Sequence, residues 1–147
     1  MPSFTGQYTY TLDSKGRLTI PSRYREELPE TLAVTRSMDR CLTVYPMDVW
    51  EEITAKVDAL SITDSRGRDL RRYFYADATL AEPDRQGRIL LPDRLREHAG
   101  LELNNEVIIA GTGRYFEIWN PQRWEEECIR QAKIVDEDPA IWDGLQI

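Results

Sequence analysis

The sequence contains one histidine, His98, and two cysteines, Cys41 and Cys128, which are far apart in the chain. These residues have no metal-site spacing, and the cysteines are predicted to be reduced thiols in the core. No Walker, nucleophile-elbow, zinc or dinucleotide-binding motif is present, which counts against an enzyme. No apolar run approaches a membrane span, and the N-terminus lacks the features of a signal peptide. We therefore expect a cytoplasmic protein with no cofactor, no metal, no membrane contact and no small-molecule substrate.

Acidic residues are in excess, but only in one half of the chain. The net charge is -7, and 41% of the 147 residues are hydrophobic, which is typical of a globular protein. Residues 1–75 contain 11 basic and 11 acidic residues, whereas residues 76–147 contain 8 and 15. Residues 13–25 and 66–72 each carry a net charge of +3. The protein can therefore present a basic face despite its overall charge.

Two stretches of the chain repeat each other. Residues 13–28 read DSKGRLTIPSRYREEL and residues 84–99 read DRQGRILLPDRLREHA, with seven of 16 aligned positions identical. The similarity resumes at residues 39–52 and 113–126. An internal duplication of one small unit explains this pattern. We divide the chain into a first half at 1–60, a linking helix at 61–76, a second half at 77–135 and an acidic tail at 136–147.

Each repeat is predicted to begin with a hairpin followed by a short helix. YTYTLD alternates like a half-buried strand, RLTI is its expected partner, and Gly16 fits the left-handed position of the turn between them. Ser22 and Asp93 are expected to cap short helices, which Pro29 and Gly100 would end.

A second hairpin and a longer helix follow in each repeat. LAVTRS is expected to pair with CLTVYP, and EVIIAG with RYFEIW. Apolar stripes predict helices over 47–60 and 121–135. One half is too small to bury both faces of its sheet. The expected fold is α+β, mainly β, with two pseudo-symmetric halves that complete one β-barrel-like core with flanking helices.

The repeated Asp-x-x-x-Arg pattern has two interpretations. Asp13 and Arg17 flank a tight turn, so an ion pair between them could simply fix the turn, contributing roughly 0.2–1 kcal/mol. Alternatively, Asp13 orients Arg17 toward a phosphate or a base edge, with Lys15 at the tip. The residues alone leave both interpretations open.

The blocks LDSKGRLTIPSRYRE and PDRQGRILLPDRLRE, with RRYFYADA before the second, closely resemble the MraZ family of the AbrB/SpoVT swapped-hairpin class. The resemblance implies swapped-hairpin halves, closed ring oligomers and binding of short DNA repeats. It also implies transcriptional regulation of the division and cell wall gene cluster, including the protein's own promoter. The second turn departs from the first, because its cation Arg85 stands one position earlier than Lys15.

The expected partners are therefore double-stranded DNA and further copies of the chain, and the expected location is the nucleoid. The expected DNA-binding residues are Lys15, Arg17, Arg85 and Arg88, with Asp13, Gly16, Asp84 and Gly87 shaping the two turns. One alternative is an assembly module in which the arginine turns dock on acidic surfaces of a neighbour. A second is an enzyme that uses Asp13 and Asp84 as paired acids.

Overall fold

A computed structural model describes residues 3–28 and 30–146 and shows a mixed α/β fold with a mainly antiparallel sheet. The strands in that part of the chain are β1 (Gln7–Thr11), β2 (Arg17–Thr19), β3 (Leu32–Arg36), β4 (Leu42–Pro46), β5 (Thr79–Ala81), β6 (Arg88–Leu90), β7 (Glu106–Gly111) and β8 (Phe116–Trp119). The α-helices are α1 (Ser22–Arg25), α2 (Met47–Asp58), α3 (Ser65–Tyr75), α4 (Asp93–Ala99) and α5 (Pro121–Glu137), and a 3-10 helix follows at Pro139–Leu145.

The two halves interleave in the sheets. Six strands lie in the order β1-β7-β8-β4-β3-β5, and β2 pairs with β6 in a separate two-stranded sheet. The expected hairpins β3–β4 and β7–β8 are confirmed. The expected pairing of the YTYTLD strand with RLTI is wrong, because β1 pairs with β7 and β2 with β6. In the described part, the six-stranded sheet ends at β1 and β5 and does not close into a barrel.

The main core lies where residues of both halves meet. Leu18 and Ile89, at the centres of β2 and β6, are fully or almost fully buried. Tyr24 of α1 packs edge-on against Phe4, with ring centroids 5.1 Å apart, and contacts Phe116 of β8. Because one hydrophobic cluster contains side chains from both repeats, neither half has a separate main core.

The short helices begin one residue earlier than expected. The carbonyl of Pro21 accepts the first helical hydrogen bonds, so Pro21, and Pro92 in the second half, occupy the N-cap positions. Ser22 and Asp93 are the first helical residues and do not cap. Gly100 ends α4 with φ at 67°, as expected, and Pro29 lies outside the described residues.

The two long helices are buried to different degrees. Trp50 and Val57 of α2 are buried, as the apolar stripe predicts. Cys41 is buried, whereas Cys128 on α5 is only half-buried, so its expected place in the core is wrong. Helix α5 packs against β7, with its Trp124 against Trp119 of β8, and its C-terminal part contacts the 3-10 helix. No helix of the described chain is long and apolar enough to cross a membrane.

Replacing Tyr24 with Phe tests the contact between α1 and the segment that precedes β1. The Tyr24 hydroxyl lies 2.9 Å from the Thr5 carbonyl oxygen and 3.1 Å from that of Gly6. Burial raises the pKa of Tyr24 to about 12, so it remains a donor. We expect Tyr24→Phe to lower the free energy of unfolding by about 1–3 kcal/mol in urea denaturation at fixed protein concentration. Tyr10→Phe, at a half-buried position on β1, should change it by less than about 0.5 kcal/mol.

Candidate nucleic-acid interface

The first turn is built around the Asp13 carboxylate. Its Oδ1 accepts the backbone N–H groups of Lys15 and Arg17 at 2.9 and 2.8 Å, and its Oδ2 accepts Arg17 Nε–H at 2.8 Å. Gly16 adopts φ of +81°, which an L side chain rarely adopts. The carboxylate therefore fixes both the backbone of the turn and the direction of the Arg17 side chain.

The second turn repeats this geometry. Asp84 Oδ1 accepts the N–H groups of Gln86 and Arg88, each at 2.9 Å, and Oδ2 accepts Arg88 Nε–H at 2.9 Å. Gly87 has φ of +76°. The ion pair that fixes the turn is thus present in both copies. It uses only Nε of each arginine, so it is compatible with a second contact through the Nη groups.

The structure brings the two expected arginines together on a ribbon formed by β2 and β6. Arg17 pairs with Leu90 and Arg88 with Thr19. Since Leu18 and Ile89 face the core, these four residues lie on the opposite face. Arg88 Nη1 lies 3.9 Å from Asp13 Oδ2, so the two turns share an electrostatic contact.

Lys15 and Arg85 are exposed beside opposite ends of this ribbon. The N–H of Leu91 donates to Gly16 O and that of Ile20 to Gly87 O, each at 2.8 Å. Each turn therefore sits against the end of the opposite half's strand. The expected basic residues Lys15, Arg17, Arg85 and Arg88 consequently surround a single small sheet.

Two residues of this outer face were missed in the sequence. Thr19 is half-buried, and Leu90, its equivalent in the second repeat, is 55% exposed although it is apolar. The alternation of a strand could have identified them, because they stand two residues after Arg17 and Arg88. A hydroxyl in one half and an isobutyl group in the other make the face chemically asymmetric.

Both carboxylates of the turns are held in the ionised form. The Arg17 backbone N–H makes the largest contribution that lowers the pKa of Asp13, followed by the Arg17 side chain. Arg88 lowers the pKa of Asp84 in the same way. A carboxylate held so by its own turn is a poor proton donor near neutral pH. This argues against the interpretation of Asp13 and Asp84 as paired catalytic acids.

Other candidate sites gain little from the structure. Within residues 3–28 and 30–146, no group of three or more His, Cys, Asp or Glu side chains could hold a metal ion. His98 Nε2 lies 3.4 Å from the Asp39 carbonyl oxygen, a contact that connects α4 with the β3–β4 hairpin. This contact gives His98 a structural role.

The chain is thus an α/β protein built from two interleaved halves, each of which carries one Asp-x-x-x-Arg turn. The family model described as "MraZ protein" matches it twice, over residues 3–73 and 74–137. The chain belongs to the MraZ family. It is 51% identical over 142 residues to a Transcriptional regulator MraZ of Thermomicrobium roseum, covering 97% of this chain and 96% of the relative. Relatives of the same name in Roseiflexus castenholzii and Halothermothrix orenii are 48% and 44% identical, covering 83% and 98% of this chain and 84% and 99% of their own lengths.

The Arg17→Ala variant separates the side-chain interactions that lower the pKa of Asp13 from the backbone hydrogen bonds that also lower it. We expect the pKa to rise but to stay below the ordinary value of 3.8, because the residue 17 backbone N–H still donates. Carboxyl-carbon NMR during a pH titration measures it, with Asp84 as the internal control. An unchanged pKa of Asp13 would contradict the ion pair. The pKa of Asp13 is lower in the folded protein than its ordinary value. The Asp13 carboxylate therefore stabilises the folded state fully above pH 3.8, and this stabilisation is lost as the pH falls through the pKa of the folded protein.

Proposed function

We propose that this protein is a sequence-specific transcriptional regulator that binds double-stranded DNA through the β2–β6 ribbon and its two turns. The observation that supports this most is the pair Arg17 and Arg88 on the outer face of the ribbon. Each arginine is oriented through Nε by its own aspartate, and neither forms an Nη hydrogen bond within the described residues. Oriented guanidinium groups of this kind suit bidentate recognition.

A two-stranded ribbon is an element that can enter a DNA groove. The major groove of B-DNA admits a two-stranded β-ribbon, and arginine recognises guanine O6 and N7 there. Lys15 and Arg85, at opposite ends of the ribbon, suit phosphates on either side of a groove. Leu90 could contact a thymine methyl group and Thr19 a polar base edge. This assigns base recognition to the ribbon and positioning to the turns.

The family supplies the expected target. The relatives named Transcriptional regulator MraZ support a role in transcription. The resemblance on the two Asp-x-x-x-Arg blocks further suggests the division and cell wall gene cluster, including the protein's own promoter. In this role the protein would be cytoplasmic and associated with the nucleoid.

We further propose that the chain works as a ring in which each subunit has a swapped-hairpin core. The exchange of strands between halves, β1 with β7 and β5 with β3, supports such a core. Opposite charges support head-to-tail contacts: residues 66–72 of α3 are basic, whereas the tail after residue 135 is acidic. A ring would bring several ribbons onto adjacent DNA repeats and multiply weak contacts.

The Arg17→Ala variant directly tests the proposal that the ribbon binds DNA. We expect its affinity for the protein's own promoter DNA to fall by roughly 5- to 150-fold, as for the loss of a base contact. Fluorescence anisotropy at several salt concentrations measures affinity and the number of phosphates neutralised, with a slope of roughly -0.9 per phosphate. Oligomer size is measured in parallel by light scattering.

The matched control is Arg130→Ala, which removes the same charge from α5, where Arg130 pairs with Glu127. It should leave promoter affinity within about twofold, since exposed ion pairs contribute little. If Arg17→Ala instead breaks the oligomer, the alternative of an assembly module is supported. Equal affinity of the wild type for promoter and scrambled DNA would contradict the proposed function.

Replacing Leu90 with threonine, the residue at the equivalent position of the first repeat, tests whether the outer face of the ribbon recognises bases. We expect Leu90→Thr to change the preferred base at one position of the site, because it removes an apolar contact and introduces a hydroxyl. Selection from a randomised DNA library measures this preference. The salt slope should stay unchanged, since no phosphate contact is removed. Leu80→Thr, at another exposed leucine on β5, is the control. An unchanged preference would place Leu90 outside the base-reading face.

A further inference from the structure

Arg25 belongs to the first repeat but contacts the Asp-x-x-x-Arg turn of the second repeat, at residues 84–88. Its Nε donates to the Ile20 carbonyl oxygen at 3.1 Å. Its guanidinium lies directly against Gly87: a Cβ built on that glycine would be 2.5 Å from Arg25 Cζ and 2.6 Å from Nε. The guanidinium therefore occupies the space that any larger residue at position 87 would need.

Arg96 makes the equivalent contact in the opposite direction. Its Nε donates to the Leu91 carbonyl oxygen at 2.9 Å, and its side chain is only 16% exposed. A Cβ built on Gly16 would lie 3.2 Å from Arg96 Nε. The sequence shows Arg25 and Arg96 as identical positions of the repeat, but their crossed contacts become visible only in the structure.

Each arginine and its glycine are joined through the residue that directly follows β2 or β6. The Ile20 carbonyl accepts Arg25, while the Ile20 N–H donates to Gly87 O at 2.8 Å. Leu91 connects Arg96 with Gly16 O in the same way. Two such units, one at each end of the ribbon, hold each turn against the half to which it does not belong.

We propose that Arg25 and Arg96 are positioning residues that fix the DNA-reading turns of the opposite repeat. Arg25 acts on the turn of residues 84–88 and Arg96 on that of residues 13–17. This inference rests on the proposed DNA-binding function. Arg88 Nε is held by a carboxylate within its turn, so rotation of the turn carries the Arg88 guanidinium away from its binding direction. Arg25 thereby sets the orientation of Arg88 without contacting DNA.

Hydrogen exchange on the DNA-free protein tests the crossed contact. Arg25→Met keeps the aliphatic stem, and Arg25 has no ion pair in the described chain, so the change leaves no carboxylate unpaired. We expect amide exchange at residues 86–88 to rise severalfold and exchange at residues 15–17 to stay unchanged. Arg23→Met, on the exposed face of the same helix, should change neither. Unchanged exchange at residues 86–88, or an equal rise in both turns, would overturn the proposal.

A double-mutant cycle on promoter DNA distinguishes positioning from direct contact. Arg25→Met alone should reduce affinity on the order of tenfold, and much less in an Arg88→Ala background, because the positioned group is then absent. A phosphate contact by Arg25 itself would give equal losses in both backgrounds and would overturn positioning. Any effect of the control Arg23→Met should be the same in both. If the wild type does not prefer its promoter over other DNA, the proposed function is wrong, and so is any role of Arg25 in DNA binding. The hydrogen-exchange experiment would still decide whether Arg25 fixes the turn of residues 84–88.

Discussion

The pairing of β2 with β6 is the contact on which both the core and the candidate interface depend. Only three residues of each strand take part, and an isolated two-stranded sheet of this size is marginally stable in water. Leu18 and Ile89 stabilise it by burying their side chains in the common core. Hydrophobic burial on this side of the ribbon thus holds Arg17 and Arg88 on the opposite face, outside the core.

The duplication makes this pairing intramolecular. Two separate copies of one unit would depend on protein concentration to form the ribbon, whereas one chain holds both strands at a high effective concentration. A single chain also lets equivalent positions differ. Tyr24 corresponds to Leu95 in the core, and Thr19 to Leu90 on the outer face. Such differences make the two ends of the ribbon chemically distinct. Two identical subunits related by a twofold axis could not provide this difference.

Local features of the fold could be predicted from the sequence, and long-range partners could not. The Asp13–Arg17 turn, the positive φ of Gly16 and the hairpin β3–β4 follow from residues close in the chain. The partner of β1 does not, because alternation fixes which side chains face the core but leaves the neighbouring strand open. Cys128 was misplaced for a related reason: an apolar stripe shows which face of α5 is buried but not how far the sheet extends beneath it. Strand alternation could have placed Leu90 on the outer face, but its exposure is visible only in the structure.

The aspartates of the turns have an apparent disadvantage at a surface proposed to bind DNA. Lys15, Arg17, Arg85 and Arg88 bring four positive charges to the ribbon, and Asp13 and Asp84 cancel two of them. Removing the aspartates would raise the attraction for phosphates but release both guanidinium groups from their fixed directions. A freely rotating arginine binds any polyanion, whereas an oriented one favours a particular base edge. In the proposed DNA-binding role, the ion pairs would therefore exchange affinity for selectivity. Several ribbons acting together would then recover the affinity that one modestly charged ribbon lacks.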